Sequence, residues 1–152
     1  MELRIAQEDP DQADIISLLD DGEQHSASLY PPESNHHLSL EALRAAHIRF
    51  LVARDATGRA VATGALALFG PWAELKRMWV VPAMRGRGIS KAVLEALEAR
   101  AREERVGCLR LETGVENYAA LSLYERSGFV RCGPFGDYRP DPLSVFMQKQ
   151  LA

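Results

Sequence analysis

The chain has 152 residues, 47% of them apolar and 26% charged, with a formal net charge of −3 and a pI near 5.8. That length suits one domain, residues 1–152, burying roughly 70% of the surface its unfolded form exposes, and the acidic balance offers nucleic acid or an anionic membrane no general attraction. MELRIAQEDP lacks the apolar core of a signal peptide, and the most apolar stretch, AVATGALALFGPWA, is too short and interrupted to span a bilayer, so the expectation is a cytoplasmic protein with no membrane or nucleic-acid partner.

In chain order, ELRIA reads as a first strand. Residues 11–29 then place Ile15, Leu18 and Leu19 on one helical face, with Asp14 and Asp20 off it. YPPESNHH ends that helix, and Ser39 is positioned to cap a short second helix running through Arg44. IRFLVARD and AVATGALALF are strands joined by the turn DATGR. WAELKRMWVV is a fourth strand, GISKAVLEALEARAREE a helix and GCLRLETG a fifth strand. Asn117 to Ser127 form another helix, with Gly128 placed to take a left-handed cap, and FVRCG and LSVFMQKQL supply the last two strands. Cys108 and Cys132 lie in apolar strand contexts with no CxxC or Cys/His spacing, which predicts core thiols and no metal site or disulfide. The order β-α-α-β-β-β-α-β-α-β-β predicts an α/β, three-layer fold: a twisted mixed sheet of about seven strands with helices on both faces.

The stretch VVPAMRGRGISKAV carries the first chemical signal. Ile89, Val93, Leu97 and Ala101 recur every four residues with Leu94 beside them, which predicts a helix packed on the sheet with Glu98 and Arg102 paired outside. Its first turn is then a set of unpaired N–H groups at a positive dipole end. Gly86 and Gly88 before it can take φ > 0 and turn more N–H groups toward the same point. That is an anion cradle. Arg85, Arg87 and Lys91 crowd the same end, an arrangement that is destabilising unless a multiply charged anion sits among them. The glycine spacing fits neither a Walker loop nor a dinucleotide fingerprint.

The run Arg85-Gly86-Arg87-Gly88-Ile89-Ser90 resembles the Q/R-x-x-G-x-G/A pyrophosphate loop of the GNAT superfamily of acyl-CoA-dependent N-acyltransferases, with Ser90 departing at the last position. ENYAALSLYERSGF resembles the family's N-x-x-A-x-x-x-Y-x-x-x-GF signature, and ELKRMWV, LETG and the tail PFGDYRPDPLSVFMQK resemble a subgroup of small bacterial acetyltransferases. The likeness runs along essentially the whole chain. It implies a GNAT-type fold and acetyl-CoA as cofactor. The N–H groups of Arg85, Gly86, Arg87, Gly88, Ile89 and Ser90 would face the CoA pyrophosphate, with Arg87 or Lys91 near a phosphate. The backbones of Met78, Trp79 and Val80 would pair with the pantetheine arm where the fourth strand splays from the fifth. Asn117 would cap its helix and also touch the cofactor, and Ala120, Leu121 and Tyr124 would share the helix face turned toward it.

Direct acyl transfer needs a deprotonated amine, a stabilised oxyanion and a proton for the departing thiolate. The resemblance assigns that last proton to Tyr124. Glu74 stands where histone-acetylating relatives place a glutamate base, and without a bulge it shares strand parity with Met78 and Val80. Glu112, in LETG, is the alternative, and water serves as base in many relatives. On the acceptor side the fold implies Tyr30, Asn35, His36, His37, Phe135, Asp137 and Tyr138, and a substrate no more defined than a small-molecule or amino-acid-like amine. A homodimer stays open. The rival readings are a non-catalytic acyl-CoA-binding module and an acetyltransferase acting on a protein or aminoacyl-tRNA amine.

Overall fold

The computed structural model describes residues 2–151. Its elements are β1 (Leu3–Gln7), α1 (Ala13–Leu29), α2 (Leu40–Leu43), β2 (Ile48–Asp55), β3 (Ala60–Phe69), β4 (Trp72–Val80), α3 (Ile89–Glu103), β5 (Cys108–Gly114), α4 (Tyr118–Arg126), β6 (Val130–Cys132) and β7 (Ser144–Gln150), with 3₁₀ turns at Pro32–Ser34 and Pro82–Met84. This is the order read from the sequence, with boundaries moved by a residue or two. Local chemistry sets several of the joints. Asp55 Oδ1 accepts from the N–H groups of Thr57 and Arg59 and from the Thr57 hydroxyl, closing the β2–β3 turn. The Ser39 hydroxyl accepts from Ala42 N at 3.1 Å and starts α2. Gly128 takes φ +94° behind α4.

The strands form one seven-stranded sheet in the order β1-β2-β3-β4-β5-β7-β6. All neighbours are antiparallel except β4 and β5. Helices cover both faces, and two adjacent residues of β3 show it, because neighbouring side chains on a strand point opposite ways. Thr63 lies opposite Trp79, whose indole packs against Gly22 of α1. The Gly64 side meets Val93 and Leu97 of α3. Ala60 to Ala67 are buried on both sides, which is why β3 reads as a nearly continuous apolar run and not as an alternation. Ile15, Leu18 and Leu19 under α1, and Ile89, Val93, Leu94, Leu97 and Ala101 under α3, are buried as their periodicity predicts. Among the described residues no helix is long and apolar enough to cross a membrane.

Three sequence expectations are corrected. Register on β3 passes from Ala65↔Lys76 to Thr63↔Trp79, so β4 carries one extra residue, and Arg77 sits in this bulge at φ +57°. The bulge flips strand parity: Glu74 shares its face with Lys76 and Trp79, and not with Met78 and Val80. Glu98 is buried, not outside, because β7 brings Lys149 Nζ to 2.8 Å of its carboxylate, with Arg102 farther off at 3.9 Å. Of the two cysteines, Cys108 is buried while Cys132 on the short edge strand β6 is only half-buried.

Gly64 is where the fold tolerates no side chain. A Cβ there would lie 2.8 Å from Leu97, Met78 and Val93 together, so Gly64→Val is expected to cost about 1–3 kcal/mol in denaturant unfolding, the usual penalty of overpacking a filled core.

Candidate active site

β4 and β5 run parallel for only three pairs, Trp72↔Cys108, Ala73↔Leu109 and Glu74↔Arg110. Past that point β5 continues on β7 alone, while β4 stays with β3. The strands part into a wedge. It opens into a cleft of about 680 Å³ between the Leu75–Val80 segment of β4, the Leu111–Gly114 segment of β5, α1, the 34–38 loop, the start of α3 and α4.

At one end lies the glycine loop. Gly86 and Gly88 take φ +80° and +76°, and a Cβ on either would meet nothing within 4 Å. Among the described residues no carbonyl accepts from the N–H groups of residues 86–91; the first α3 bond runs from Ala92 N to Gly88 O. Gly88 is the N-cap of α3 and, having no side chain, supplies no capping acceptor. Six successive free N–H groups at the positive end of a 15-residue helix fit a polyanion such as a pyrophosphate. Gly86, Gly88, Ile89, Ser90 and Lys91 line the cleft, whereas Arg87 does not. Arg85 is turned onto the Trp79 ring at 4.8 Å. Of the three cations of the loop, Arg85 and Lys91 therefore line the cleft and Arg87 does not.

Along the walls, Met78, Trp79 and Val80 of β4 and Asn117, Ala120 and Tyr124 of the opposite wall all line the cleft. Leu121 instead turns into the core, because a helix face wide enough to reach both cleft and core divides its positions between them, and Leu123 takes the cleft-side place. Asn117 occupies the N-cap position of α4 without capping it; its Nδ2 donates to Thr113 Oγ1 at 3.4 Å. Tyr124 is 5% exposed, and burial alone pushes its phenol up.

The opposite end contains a polar cluster. Tyr138 donates its hydroxyl proton to Glu74 Oε2. Lys76 Nζ donates to the same Tyr138 oxygen at 2.8 Å and to His36 O at 2.9 Å, and lies 3.3 Å from Glu74. Burial and the neighbouring Glu74 carboxylate push the Tyr138 phenol up. Glu74 is buried and not part of the cleft lining. Glu112 does line the cleft and accepts from Ser144 Oγ at 2.8 Å. Burial raises its pKa above the usual carboxylate range, and the Ser144 bond opposes that shift.

Of the acceptor-side residues, Tyr30, Asn35, His36 and His37 reach the cleft. The Tyr30 hydroxyl accepts from Glu116 N at 3.0 Å, and its ring lies so close over Gly114 that no Cβ fits there. Phe135 is not on the cleft: it is buried in an aromatic cluster with Trp72, Tyr138 and Phe146, at centroid distances of 5.5, 5.2 and 5.7 Å. Asp137 is exposed and Tyr138 acts from behind the lining, through Glu74. Sequence reasoning missed Lys76, Arg77 and Ser144. Two adjacent cations inside the apolar strand ELKRMWVV were the signal for the first two; Ser144 had none, since only strand pairing brings it opposite β5.

A family profile described as the Acetyltransferase (GNAT) family matches residues 13–129. The chain is 45% identical over 149 residues to a protein of Azospirillum brasilense named IAA acetyltransferase, covering 97% of each chain. A crystallised acyl-CoA N-acyltransferase of Klebsiella pneumoniae subsp. pneumoniae superposes with a TM-score of 0.84 at 34% identity, covering 99% of this chain and 98% of that one. The fold is shared with the PaiA N-acetyltransferase of Thermoplasma acidophilum, crystallised with coenzyme A, at a TM-score of 0.76 and 20% identity over 99% of this chain and all of that one.

Coenzyme A at a hundred times its dissociation constant is expected to stabilise the protein by about 2.7 kcal/mol, a rise in melting temperature of roughly 5–10 °C for a chain of this size. Gly88→Asp, which sets a negative side chain in the cradle, should remove that rise while the protein still melts cooperatively. A wild-type response in the variant would put the anion elsewhere.

Proposed function

The chain belongs to the GNAT acetyltransferase family and is an acetyl-CoA-dependent N-acyltransferase, and from that premise we propose that, as one catalytic domain, it acetylates the amine of a small-molecule acceptor by direct attack with both substrates bound. The observation that carries this reading is the wedge between β4 and β5: free N–H groups close one end, and Glu112 and Tyr124 face it from β5 and α4. Bound acetyl-CoA supplies an acyl group activated as a thioester. The rest is work for the chain's own residues. The N–H groups of residues 86–91 hold the pyrophosphate, and the β4 backbone beyond Glu74, unpaired on its β5 side, is available to the pantetheine amides.

Glu112 is the better placed base. It lines the cleft with one oxygen engaged by Ser144, whereas Glu74 is buried and committed to Tyr138 and Lys76. Glu74 then holds the loop bearing Tyr138 against β4, and Glu112 takes the proton from the acceptor nitrogen. Tyr124 supplies a proton to the departing sulfur. Its raised pKa keeps the phenol protonated at every working pH, as an acid requires. A cleft of about 680 Å³ that must also admit the cofactor arm suits a small acceptor better than a folded protein.

Two outcomes test these roles by thiol release from acetyl-CoA with a panel of amines. Tyr124→Phe keeps the buried ring, so kcat should fall roughly 10²-fold with little change in coenzyme A affinity; a wild-type kcat would leave Tyr124 as packing only.

The pH profile tests Glu112. A base works deprotonated, so activity rises with pH through the raised Glu112 pKa. Ser144→Ala removes the bond that favours the charged carboxylate and should move the acid limb of kcat/KM to higher pH; Glu112→Gln should lower activity and abolish the limb. An acid limb unmoved in both variants assigns it to another group.

A further inference from the structure

Arg77 is the unexplained cation of the cleft. It lies in the β4 bulge with φ +57°, a left-handed backbone that costs a residue with a Cβ about 1–2 kcal/mol, and strain of this kind concentrates at functional sites. Its side chain is 6% exposed and lines the cleft beside α1. Nη2 pairs with Glu23 of α1, while among the described residues Nε is buried with no acceptor, as is Nε1 of Trp79, whose indole also faces α1. Buried donors without partners are rare in folded proteins, and a water, an ion or a ligand group is what completes them. Lys76 next door is no substitute, since His36 O, the Tyr138 hydroxyl and Glu74 already engage its ammonium group. Three of the chain's four histidines, His25, His36 and His37, line the same cleft, and its lining includes only one acidic side chain, Glu112.

We propose that Arg77 is a specificity-determining residue that binds a carboxylate of the acceptor, so that the preferred substrate is an amine that also carries a carboxylate. The inference rests on the amine-acceptor reading above and names the class of amine. A carboxylate offers acceptors only, which is what the two unpaired donors lack, and a planar guanidinium matches its geometry. Arg77 already shares its charge with Glu23, so the remaining field suits a monoanion better than a dianionic phosphate. The phosphates of the cofactor have their own cradle at the start of α3. Glu112, across the cleft on β5, complements the amino end of the same molecule.

Matched acceptors test this with the wild-type protein: L-phenylalanine against 2-phenylethylamine, and 4-aminobutyrate against butylamine, by thiol release at saturating acetyl-CoA. At least one carboxylated member should exceed its neutral partner by about 10-fold or more in kcat/KM, the scale of one charge-assisted hydrogen bond. Arg77→Lys keeps the cation and its pairing with Glu23 but loses the planar fork, and it should collapse that ratio through KM, with coenzyme A still raising the melting temperature. Arg77→Gln should do the same and is scored if it passes that check of folding. Equal use of both members in every pair overturns the proposal and leaves the amine-acceptor reading standing, as does an unchanged ratio in Arg77→Lys. Failure to acetylate any amine while coenzyme A still binds overturns that reading and the proposal with it.

Discussion

The site depends on the parting of two parallel strands. β4 and β5 share three residue pairs and then diverge, because β4 follows its antiparallel partner β3 through a bulge while β5 follows β7. A parallel pair normally continues as long as both strands do, since every unpaired N–H and C=O inside a sheet is costly to bury. Here the cost is met by leaving the freed edges open to a cleft, where solvent or an extended ligand can satisfy them. The bulge at Arg77 has two effects at once. It turns β4 away from β5, and it moves Glu74, Lys76 and Trp79 to the α1 face, leaving Met78 and Val80 toward α3.

Around that opening the charges are distributed by need. At the α3 end, free backbone N–H groups and a helix dipole supply positive potential, with Lys91 and Arg85, the latter stacked on Trp79, beside them on the cleft. Backbone donors suit a pyrophosphate because they are fixed before it arrives and lose no side-chain entropy. At the other end, Glu74, Lys76 and Tyr138 satisfy one another almost completely. Such a closed network is rigid, and it ties three distant segments together: β4, the loop before β7 through Tyr138, and the 34–38 loop through His36 O. Ser34 adds a bond from that loop to Asp141 at 2.7 Å. This end of the cleft is thus built from loops but held by polar contacts to a strand, which is how a flexible connection gains a defined shape.

Much of this was written in local sequence. Seven strands and four helices follow from periodicity, caps and turn residues, because each depends on neighbours within one turn or one hairpin. Ser39, Asp55 and Gly128 act where their chemistry predicts. The glycine loop was legible for the same reason: a strand, two glycines and an amphipathic helix gather free N–H groups at one point without reference to the rest of the chain.

What the sequence left open is what requires two distant segments to meet. Parity along β4 is lost at a bulge that no residue type announces, so Glu74 could not be assigned to its face from spacing. Glu98 looks like a surface residue until Lys149 of β7 arrives beside it. Phe135 and Leu121 look available to a ligand until the packing of the finished core claims them, and Ser144 meets Glu112 only through the pairing of β7 with β5. The sequence by itself determined the elements, their order and the glycine loop with its free N–H groups, since these rest on backbone preferences and periodicity over short distances. The tertiary structure alone decided which carboxylate faces the cleft and which cations are already paired, because each is a question of register and packing between residues far apart in the chain.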